Sequence, residues 1–226
     1  MDYLNIVSFT WGRGNYILFL CLKGGITIKK LLIIGSGGHG RCCLDIARDM
    51  NIYDQIAFLD DNHIHETIND CQVIGTVDEM SSYYPEYSDI FIALGNNKLR
   101  RKLLMQAKEI GYSCPSLISP DSYISRFAHI GEGTVVFPHS VIEANANIGN
   151  GCIISSNVTI NHDAEIEDYC LIYCSTVIRP NTHIGSLSVI GNNCTISSGS
   201  KIKAGSDIKD GSVIEPSDEY SFEVGV

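Results

Sequence analysis

Residues 148–166 read IGNGCIISSNVTINHDAEI, with an isoleucine at every sixth position, and this period continues without a miss from Ile124 to Ile214. Sixteen positions share it, of which fifteen hold isoleucine and one holds valine. An α-helix repeats after about 3.6 residues and a single strand after about two, so neither requires a period of six. A prism does, because each hexad forms one flat face and three hexads close one coil.

The other positions of the hexad also fit a triangular prism. The residue two places before each aliphatic one is never larger than valine, as a narrow interior requires. Three places after it, Gly, Asn or Asp fills ten of the sixteen positions, and these residues tolerate the positive φ of a sharp corner. At about 4.8 Å per coil, roughly five coils would rise to about 25 Å. The repeat therefore predicts a parallel β-helix over residues 119–226.

The composition argues against several partners and ligands. The net charge is −10, whereas a nucleic-acid-binding protein usually presents a basic face, so we predict no nucleic-acid partner. The nine cysteines contain no C-x-x-C pair, so we predict no metal site. Cys152, Cys170 and Cys194 occupy the small inward position of the hexad. We interpret the cysteines as buried, reduced side chains of a cytoplasmic protein.

Residues 1–28 precede the first predicted element. The apolar run Asn15–Leu22 is too short to span a bilayer, and the basic region and cleavage site of a signal peptide are weak or absent. We expect residues 1–28 to be a leader outside the fold, and we expect no membrane insertion.

Residues 29–118 predict a small α/β domain. A buried parallel strand is expected to be a continuous apolar run, and the first predicted strand ends in one, LLII. A helix follows this strand as far as about Met50, and a second helix is predicted at Lys98–Ile110. Four strands are predicted, at Lys29–Ile34, Ile56–Leu59, Asp89–Leu94 and near Ser116–Ile118.

A glycine-rich turn, Gly35–Gly40 (GSGGHG), joins the first strand to the first helix, and Asp60 lies twenty residues further on. This arrangement directs the free N–H groups of a helix N-terminus at a phosphate and supplies a carboxylate for a ribose or base. Three interpretations stay open from these residues: a dinucleotide site, a nucleotide-sugar site, or a turn that only packs tightly. About ninety residues are too few for the two halves of a dinucleotide fold, which disfavours the first.

Four motifs together resemble one family. They are GSGGHGRCCLDIA (35–47), FLDD (58–61), IALGNNKLRRKL (92–103) and INHDAEIED (160–168). From Lys29 onward the chain resembles the sialic-acid O-acetyltransferase family, which includes bacterial UDP-N-acetylbacillosamine N-acetyltransferases. The resemblance implies a Rossmann-like α/β domain followed by a left-handed parallel β-helix. It also implies a homotrimer that transfers acetyl from acetyl-CoA to a sugar.

The same resemblance implies roles for individual residues. The nucleotide sugar would be held in the N-terminal domain by Gly37, Gly38, His39, Asp60, Asp61 and Gly95. Acetyl-CoA would lie in the groove between neighbouring β-helices, with backbone contacts at Gly191, Asn192, Asp210 and Gly211.

His162 falls on the general base of the family, and Asp163 falls on the acidic residue that raises its basicity. Imidazole, with a pKa of about 6.5, accepts the proton of an attacking amine or hydroxyl at neutral pH. From position alone a structural interpretation is favoured, because Asp163 lies at a corner of the hexad and His162 at an outward position. The match to the whole family motif reverses this and favours catalysis.

The chain departs from the family pattern at three places. Leu171 stands where many members have a second histidine, Pro180 stands where a glycine is common, and the chain ends at Phe222–Val226 where many members continue. The resemblance implies acetyl-CoA-dependent N-acetylation of a UDP-4-amino sugar for surface glycan biosynthesis. The alternatives are O-acetylation of a sialic acid and a non-catalytic nucleotide-sugar-binding homologue.

Overall fold

The computed structural model describes residues 28–216, so the predicted leader, apart from Ile28, and the final Phe222–Val226 segment lie outside the described residues. The N-terminal part is a small α/β domain. Its strands are β1 (Lys30–Ile34), β2 (Gln55–Leu59), β3 (Thr67–Ile68), β4 (Cys71–Gly75) and β5 (Asp89–Ile92). Its α-helices are α1 (Gly38–Asp49) and α2 (Asn97–Ile110), and a 3₁₀ helix covers Val77–Tyr83. The sheet order is β3-β4-β2-β1-β5, and all pairs are parallel except β3 with β4.

The central strand β1 is buried on both faces, as its continuous apolar run predicts. Leu31 and Ile33 pack with Leu44 of α1, whereas Leu32 and Ile34 pack on the opposite side with residues of α2. The two helices therefore cover opposite faces of the sheet. Neither helix of the described part combines the length and the apolar content needed to cross a bilayer.

The C-terminal part is the predicted β-helix, built from seventeen two-residue strands, β6–β22. The docked face, named for its contact with the first domain, consists of β6 (Leu117–Ile118), β9 (Val135–Val136), β12 (Ile153–Ile154), β15 (Leu171–Ile172), β18 (Val189–Ile190) and β21 (Asp207–Ile208). The β-branched face consists of β7 (Tyr123–Ile124), β10 (Val141–Ile142), β13 (Thr159–Ile160), β16 (Val177–Ile178), β19 (Thr195–Ile196) and β22 (Val213–Ile214). The polar face consists of β8 (His129–Ile130), β11 (Asn147–Ile148), β14 (Glu165–Ile166), β17 (His183–Ile184) and β20 (Lys201–Ile202).

The strand near Ser116–Ile118 exists, but its assignment to the first domain is wrong. It is β6, which pairs in parallel with β9 and so begins the β-helix. Ile118 continues the six-residue period one step before Ile124, a signal that was present in the sequence. The sequence also missed β3, β4 and the 3₁₀ helix, because these elements are short and lack a periodic pattern.

The prism interior is filled as the hexad predicts. The isoleucines from Ile142 to Ile214 are all at most 4% exposed, and the small residues between them are buried as well, except for the half-buried Ser212 near the end of the described chain. The hydroxyl-bearing small residues each donate to a backbone carbonyl: Thr134 to Gly149 at 2.8 Å and Thr176 to Gly191 at 2.7 Å. Polar side chains are tolerated inside the column because these hydrogen bonds satisfy them.

Every corner from Gly133 to Gly211 has a positive φ. The corner residues include types that rarely adopt it, namely Tyr169 at 59°, Ser175 at 60° and Leu187 at 62°. The backbone N–H of each of these three residues donates to a carbonyl nineteen residues earlier, as Ser175 does to Ser156 at 3.1 Å. The coil therefore imposes the left-handed conformation whatever the side chain.

The first domain docks on the β-helix through both helices. Helix α1 packs against the docked face, where Leu117, Val135 and Ile153 are buried. Helix α2 runs along the α2 corner, which is the column Gly133, Gly151, Tyr169, Leu187 and Gly205. At the start of α2 the Asn97 side chain donates to the Leu187 carbonyl, and near its end Lys108 forms an ion pair with Glu132, three coils earlier in the prism. One helical turn rises about 5.4 Å and one coil about 4.8 Å, so successive turns meet successive coils.

A glycine at an exposed corner tests the conformational constraint. We expect Ser175→Gly to stabilise the protein by roughly 0.5 kcal/mol, because a left-handed L-residue costs about 1–2 kcal/mol and the greater freedom of glycine in the unfolded chain offsets part of the gain. Thermal unfolding followed by circular dichroism measures the change. Ser156→Gly, one coil below and without a positive φ, is the matched control and should lower Tm. Equal losses in both variants would contradict the proposed corner strain.

Candidate active site

The ends of β1 and β5 lie side by side at the carboxyl edge of the sheet, and we call the space between the two turns that follow them the crevice. The turn after β1 leads into α1 on one face of the sheet, and the turn after β5 leads into α2 on the other. Ligands of open α/β sheets bind at such a point, where the connections diverge to opposite faces. Of the predicted substrate residues, Gly37, Gly38 and Gly95 lie at this crevice.

The glycines of the first turn divide into two groups. A methyl group at Gly40 would stand 1.9 Å from the Gly35 carbonyl oxygen, so Gly40 permits the close approach of α1 to the turn. A methyl group at Gly37, Gly38 or Gly95 would meet no atom of residues 28–216 within 4 Å. Gly37 and Gly38 border open space at the N-terminus of α1, and Gly95 borders open space just before α2. The free N–H groups of a helix N-terminus favour a phosphate. Within this motif, close packing therefore requires glycine at position 40, whereas the glycines at positions 37 and 38 leave room for a ligand.

Asp60 holds the turn in place from beneath. Asp60 as a whole is 9% exposed. One carboxylate oxygen accepts from the Ser36 N–H at 2.7 Å and the Ser36 hydroxyl at 2.9 Å, while the other accepts from the Asn62 N–H. Burial raises the pKa of Asp60, but these hydrogen bonds outweigh it and hold the pKa below its ordinary value. Asp61 is exposed and accepts from the Val77 N–H. Ligand contact by Asp60 or Asp61 stays a prediction.

His39 belongs to the same turn but is largely enclosed. Its ring stacks on Phe137 of the β-helix with centroids 5.7 Å apart. Burial, with a smaller effect from the Arg100 charge, lowers the pKa of His39 to about 4, so the ring is neutral at pH 7. His39 therefore joins the turn to the prism as an uncharged group.

An open groove of about 520 Å³ separates the Gly95 loop, residues 94–96, from the upper coils of the prism. Its opposite wall includes Leu171, Val189 and Leu187. Leu171, one of the departures from the family pattern, thus lies across the groove from Gly95. On the prism side the apolar Leu171, Leu187 and Val189 line the groove together with the polar Ser206 and Asp207, and the N-terminus of α2 lines the other side.

His162 and Asp163 lie at the corner between the β-branched and polar faces, which we call the His162 corner. The His162 ring is about half exposed, and its Nδ1 lies 2.7 Å from Asp163 Oδ2. Asp163 Oδ1 accepts from Asn145 at 3.1 Å, and the His162 backbone N–H donates to Glu143 at 3.0 Å. The hydrogen bond from His162, followed by that from Asn145, holds the pKa of Asp163 below its ordinary value.

This contact fixes the protonation pattern of the ring. An ionised carboxylate only accepts hydrogen bonds, so Nδ1 carries the proton in the neutral imidazole and the Nε2 lone pair is free. Asp163 also has a φ of 58°, as a corner residue must. The structural and the chemical interpretations of Asp163 are therefore compatible.

One chain does not bring the predicted sites together. The crevice lies against the docked face, whereas His162 lies at the corner opposite that face. The residues predicted to contact acetyl-CoA, Gly191, Asn192, Asp210 and Gly211, lie at the third corner, between the docked and β-branched faces. There the Asn192 N–H donates to Asp210 at 2.7 Å, and the Gly211 N–H donates to the Asn192 carbonyl at 2.8 Å.

Sequence reasoning missed Arg100 and Asn97, which connect the Gly95 loop to the prism. Arg100 is 1% exposed, and its guanidinium donates to carbonyl oxygens of both domains. A signal was present, because Arg100 shares the buried face of α2 with Leu103, Leu104 and Ala107. Burial lowers the pKa of Arg100 to about 10, so it stays charged at neutral pH.

Of the eight described cysteines, all free, six are buried as expected, but Cys42 and Cys174 are exposed. Within residues 28–216, no group of three or more His, Cys, Asp and Glu side chains could hold a metal ion.

Residues 30–107 match the family "PglD N-terminal domain", and residues 127–162 and 163–198 match "Bacterial transferase hexapeptide (six repeats)". The acetyltransferase domain of PglB from Neisseria gonorrhoeae is 34% identical, with a TM-score of 0.80 over 83% of this chain and 91% of that chain. The chain belongs to the bacterial hexapeptide-repeat sugar acetyltransferases of the PglD type. It is therefore an acyltransferase, and its β-helix is left-handed like those of its family.

Further solved structures share this fold. The same PglB domain with acetyl coenzyme A matches with a TM-score of 0.74, 34% identity and coverage of 82% of this chain and 95% of that one. A mutant GDP-perosamine N-acetyltransferase from Caulobacter crescentus, with CoA and GDP-perosamine, is 23% identical, with a TM-score of 0.70 over 84% of this chain and 95% of that chain. At that identity it supports the fold alone.

The tautomer of His162 is directly measurable. We expect the side-chain ¹⁵N shifts of the neutral His162 imidazole to show Nδ1 protonated in the wild type. Asp163→Gly removes the acceptor at a corner where glycine fits, and should shift the population toward Nε2–H. His183, whose Nε2 lies 3.0 Å from Glu167 Oε1, is the internal control and should not change. Identical His162 shifts in both proteins would rule out the orienting contact.

Proposed function

We propose that this protein transfers the acetyl group of acetyl-CoA to the amino group of a nucleotide-linked amino sugar, of the UDP-4-amino type, in cytoplasmic surface-glycan biosynthesis. The observation that carries the proposal is the His162–Asp163 pair, which leaves Nε2 free as a base on an exposed corner. The 34% identical PglB domain solved with acetyl coenzyme A supports acetyl-CoA as the donor.

The pair suits the proton transfers of this reaction. As the amine nitrogen bonds to the thioester carbonyl carbon, Nε2 of His162 accepts a proton from the amine. The carbon–sulfur bond then breaks, and the CoA thiolate takes the proton from the imidazolium. Asp163, hydrogen-bonded to Nδ1, stabilises the imidazolium that forms between these steps.

The crevice favours a nucleotide-linked acceptor over a free sialic acid. Gly37 and Gly38 leave open space at the N-terminus of α1, a twelve-residue helix whose terminal N–H groups and dipole attract phosphate. A diphosphate would use this feature. An amine and a hydroxyl acceptor would both need His162 as the base, so His162 does not discriminate between a nucleotide-linked amino sugar and a free sialic acid. The phosphate-binding character of the crevice does.

We propose a homotrimer in which each site is shared by two chains. The crevice and His162 of one chain lie on opposite sides of its prism, so an acceptor held by one chain would reach the His162 of a neighbour. The β-branched face supplies an apolar surface for this contact, with Tyr123 62% and Val213 59% exposed. Contacts of acetyl-CoA with Gly191, Asn192, Asp210 and Gly211 stay a prediction, because the whole β-branched face separates them from His162 in one chain.

Loss of the base should abolish turnover. We expect His162→Asn to lower acetyl transfer by about 10²–10⁴-fold, as removal of a general base does. Release of the CoA thiol would be followed with UDP-, GDP- and dTDP-linked amino sugars and with free sialic acid. His129→Asn, an exposed outward histidine of β8, is the matched control. Equal transfer by His162→Asn and the wild type would refute the base, and a folded wild type inactive on all acceptors would favour a non-catalytic binding protein.

The β-branched face should determine assembly. We expect Val177→Asp, which places a charge in the centre of that face, to convert a trimer to monomers and to abolish turnover with it. Asn147→Asp, an outward position on the polar face, is the matched control and should stay trimeric. Size-exclusion chromatography with light scattering measures both. A trimeric Val177→Asp protein would exclude this face as the interface.

A further inference from the structure

Arg100 is a buried cation whose hydrogen bonds reach two domains. Toward the Gly95 loop, Nη1 donates to the Leu94 carbonyl at 2.8 Å and to the Gly95 carbonyl at 3.1 Å. Toward the prism, Nε donates to the Gly151 carbonyl at 2.6 Å and Nη2 to the Tyr169 carbonyl at 3.2 Å. The planar guanidinium therefore spans the junction between the loop and the α2 corner.

Asn97 extends the same connection to the next coil of the prism, at Leu187. Its side-chain carbonyl accepts from Arg100 Nη2 at 2.8 Å, and its NH₂ group donates to the Leu187 carbonyl at 3.1 Å. Together the two side chains bind carbonyls of three successive corner residues, Gly151, Tyr169 and Leu187. The first turn of α2 is thereby attached to the prism by directional bonds rather than by apolar packing alone.

The charge of Arg100 has no counter-ion among residues 28–216, where no carboxylate forms an ion pair with it. Carbonyl and amide dipoles alone solvate it, and an apolar side chain of similar volume often stabilises a fold as well as a buried charge does. Stability therefore does not explain why an arginine occupies this position. Unlike an apolar residue, the guanidinium can fix the relative positions of several carbonyl groups at once, because its five N–H donors form a rigid planar fork.

We propose that Arg100 is a positioning residue that fixes the distance between the Gly95 loop and the prism wall, and so the width of the groove between them. We assign this groove to the acceptor because Gly95 borders both the groove and the crevice. The groove lies directly between Gly95 and Leu187, the two places that the Arg100–Asn97 connection joins. Arg100 itself is 1% exposed and acts through the backbone of the loop. The kinetic part of this inference rests on the proposed function, whereas the structural part does not.

Two variants separate positioning from stability. Arg100→Lys keeps the charge but loses the fork, and Arg100→Met removes the charge at similar volume. Arg101→Met, at an exposed neighbour whose guanidinium lies over the Tyr169 ring, is the matched control. For both Arg100 variants we expect kcat/KM for the amino sugar to fall by about tenfold or more, because small displacements of positioning groups have effects of this order. KM for acetyl-CoA should stay within about twofold of the wild-type value.

A second measurement needs no turnover. Hydrogen–deuterium exchange of the segment 93–103 without ligand should be faster in both Arg100 variants than in the wild type and in Arg101→Met, because the first turn of α2 loses its attachment. If Arg100→Met fails to fold, Arg100→Lys decides the question.

Folded Arg100 variants with wild-type exchange in this segment would overturn the proposal, and so would an unchanged kcat/KM for the amino sugar in an active protein. Equal rises of both KM values would also overturn it, because they would indicate general loosening. If the wild type has no acetyltransferase activity, the proposed function fails, and exchange alone decides the role of Arg100.

Discussion

Closure of every coil after eighteen residues is the constraint on which the rest of the structure depends. Each short strand pairs only with the strands eighteen residues before and after it, as Ile160 does with Ile142 and Ile178. The chain must turn three times within that length, so a corner residue such as Leu187 takes a left-handed conformation that its side chain does not favour. Each outward side chain is consequently assigned to one face and one height, and His162 and Asp163 are held in contact at one corner.

The three faces have the same backbone and different outward chemistry. The docked face carries Leu117, Ile153 and Leu171, which the first domain covers. The β-branched face carries residues such as Val177 that the described part of the chain does not bury completely, and the polar face carries charged residues such as Glu165. The backbone repeat therefore supplies stability to all three faces, while the outward residue of each hexad decides what each face contacts.

The sequence was sufficient wherever the determinants are local or periodic. The isoleucine column and the corners were predictable because each hexad repeats the same packing, and the contact of His162 with Asp163 follows from adjacency. The membership of β6 in the prism was predictable as well, because Ile118 continues the six-residue period. The connections of Arg100 were not, because they depend on residues far apart in the chain. Helix α2 could be recognised as a helix, but its pattern could not show that Arg100 meets Gly151, fifty-one residues away. The motifs also could not show that the crevice and His162 face opposite ways.

The strict eighteen-residue coil has a consequence for how the length of this domain can vary. Six residues inserted below His162 would rotate every later side chain by one face and carry the histidine to the corner along which α2 runs. Eighteen inserted residues would leave each face in phase and only add one storey of about 4.8 Å. The prism can therefore change length in steps of eighteen residues without altering its faces. An insertion of one hexad moves the later outward side chains to different faces, whereas an insertion of three hexads keeps every side chain on its face and changes only the height.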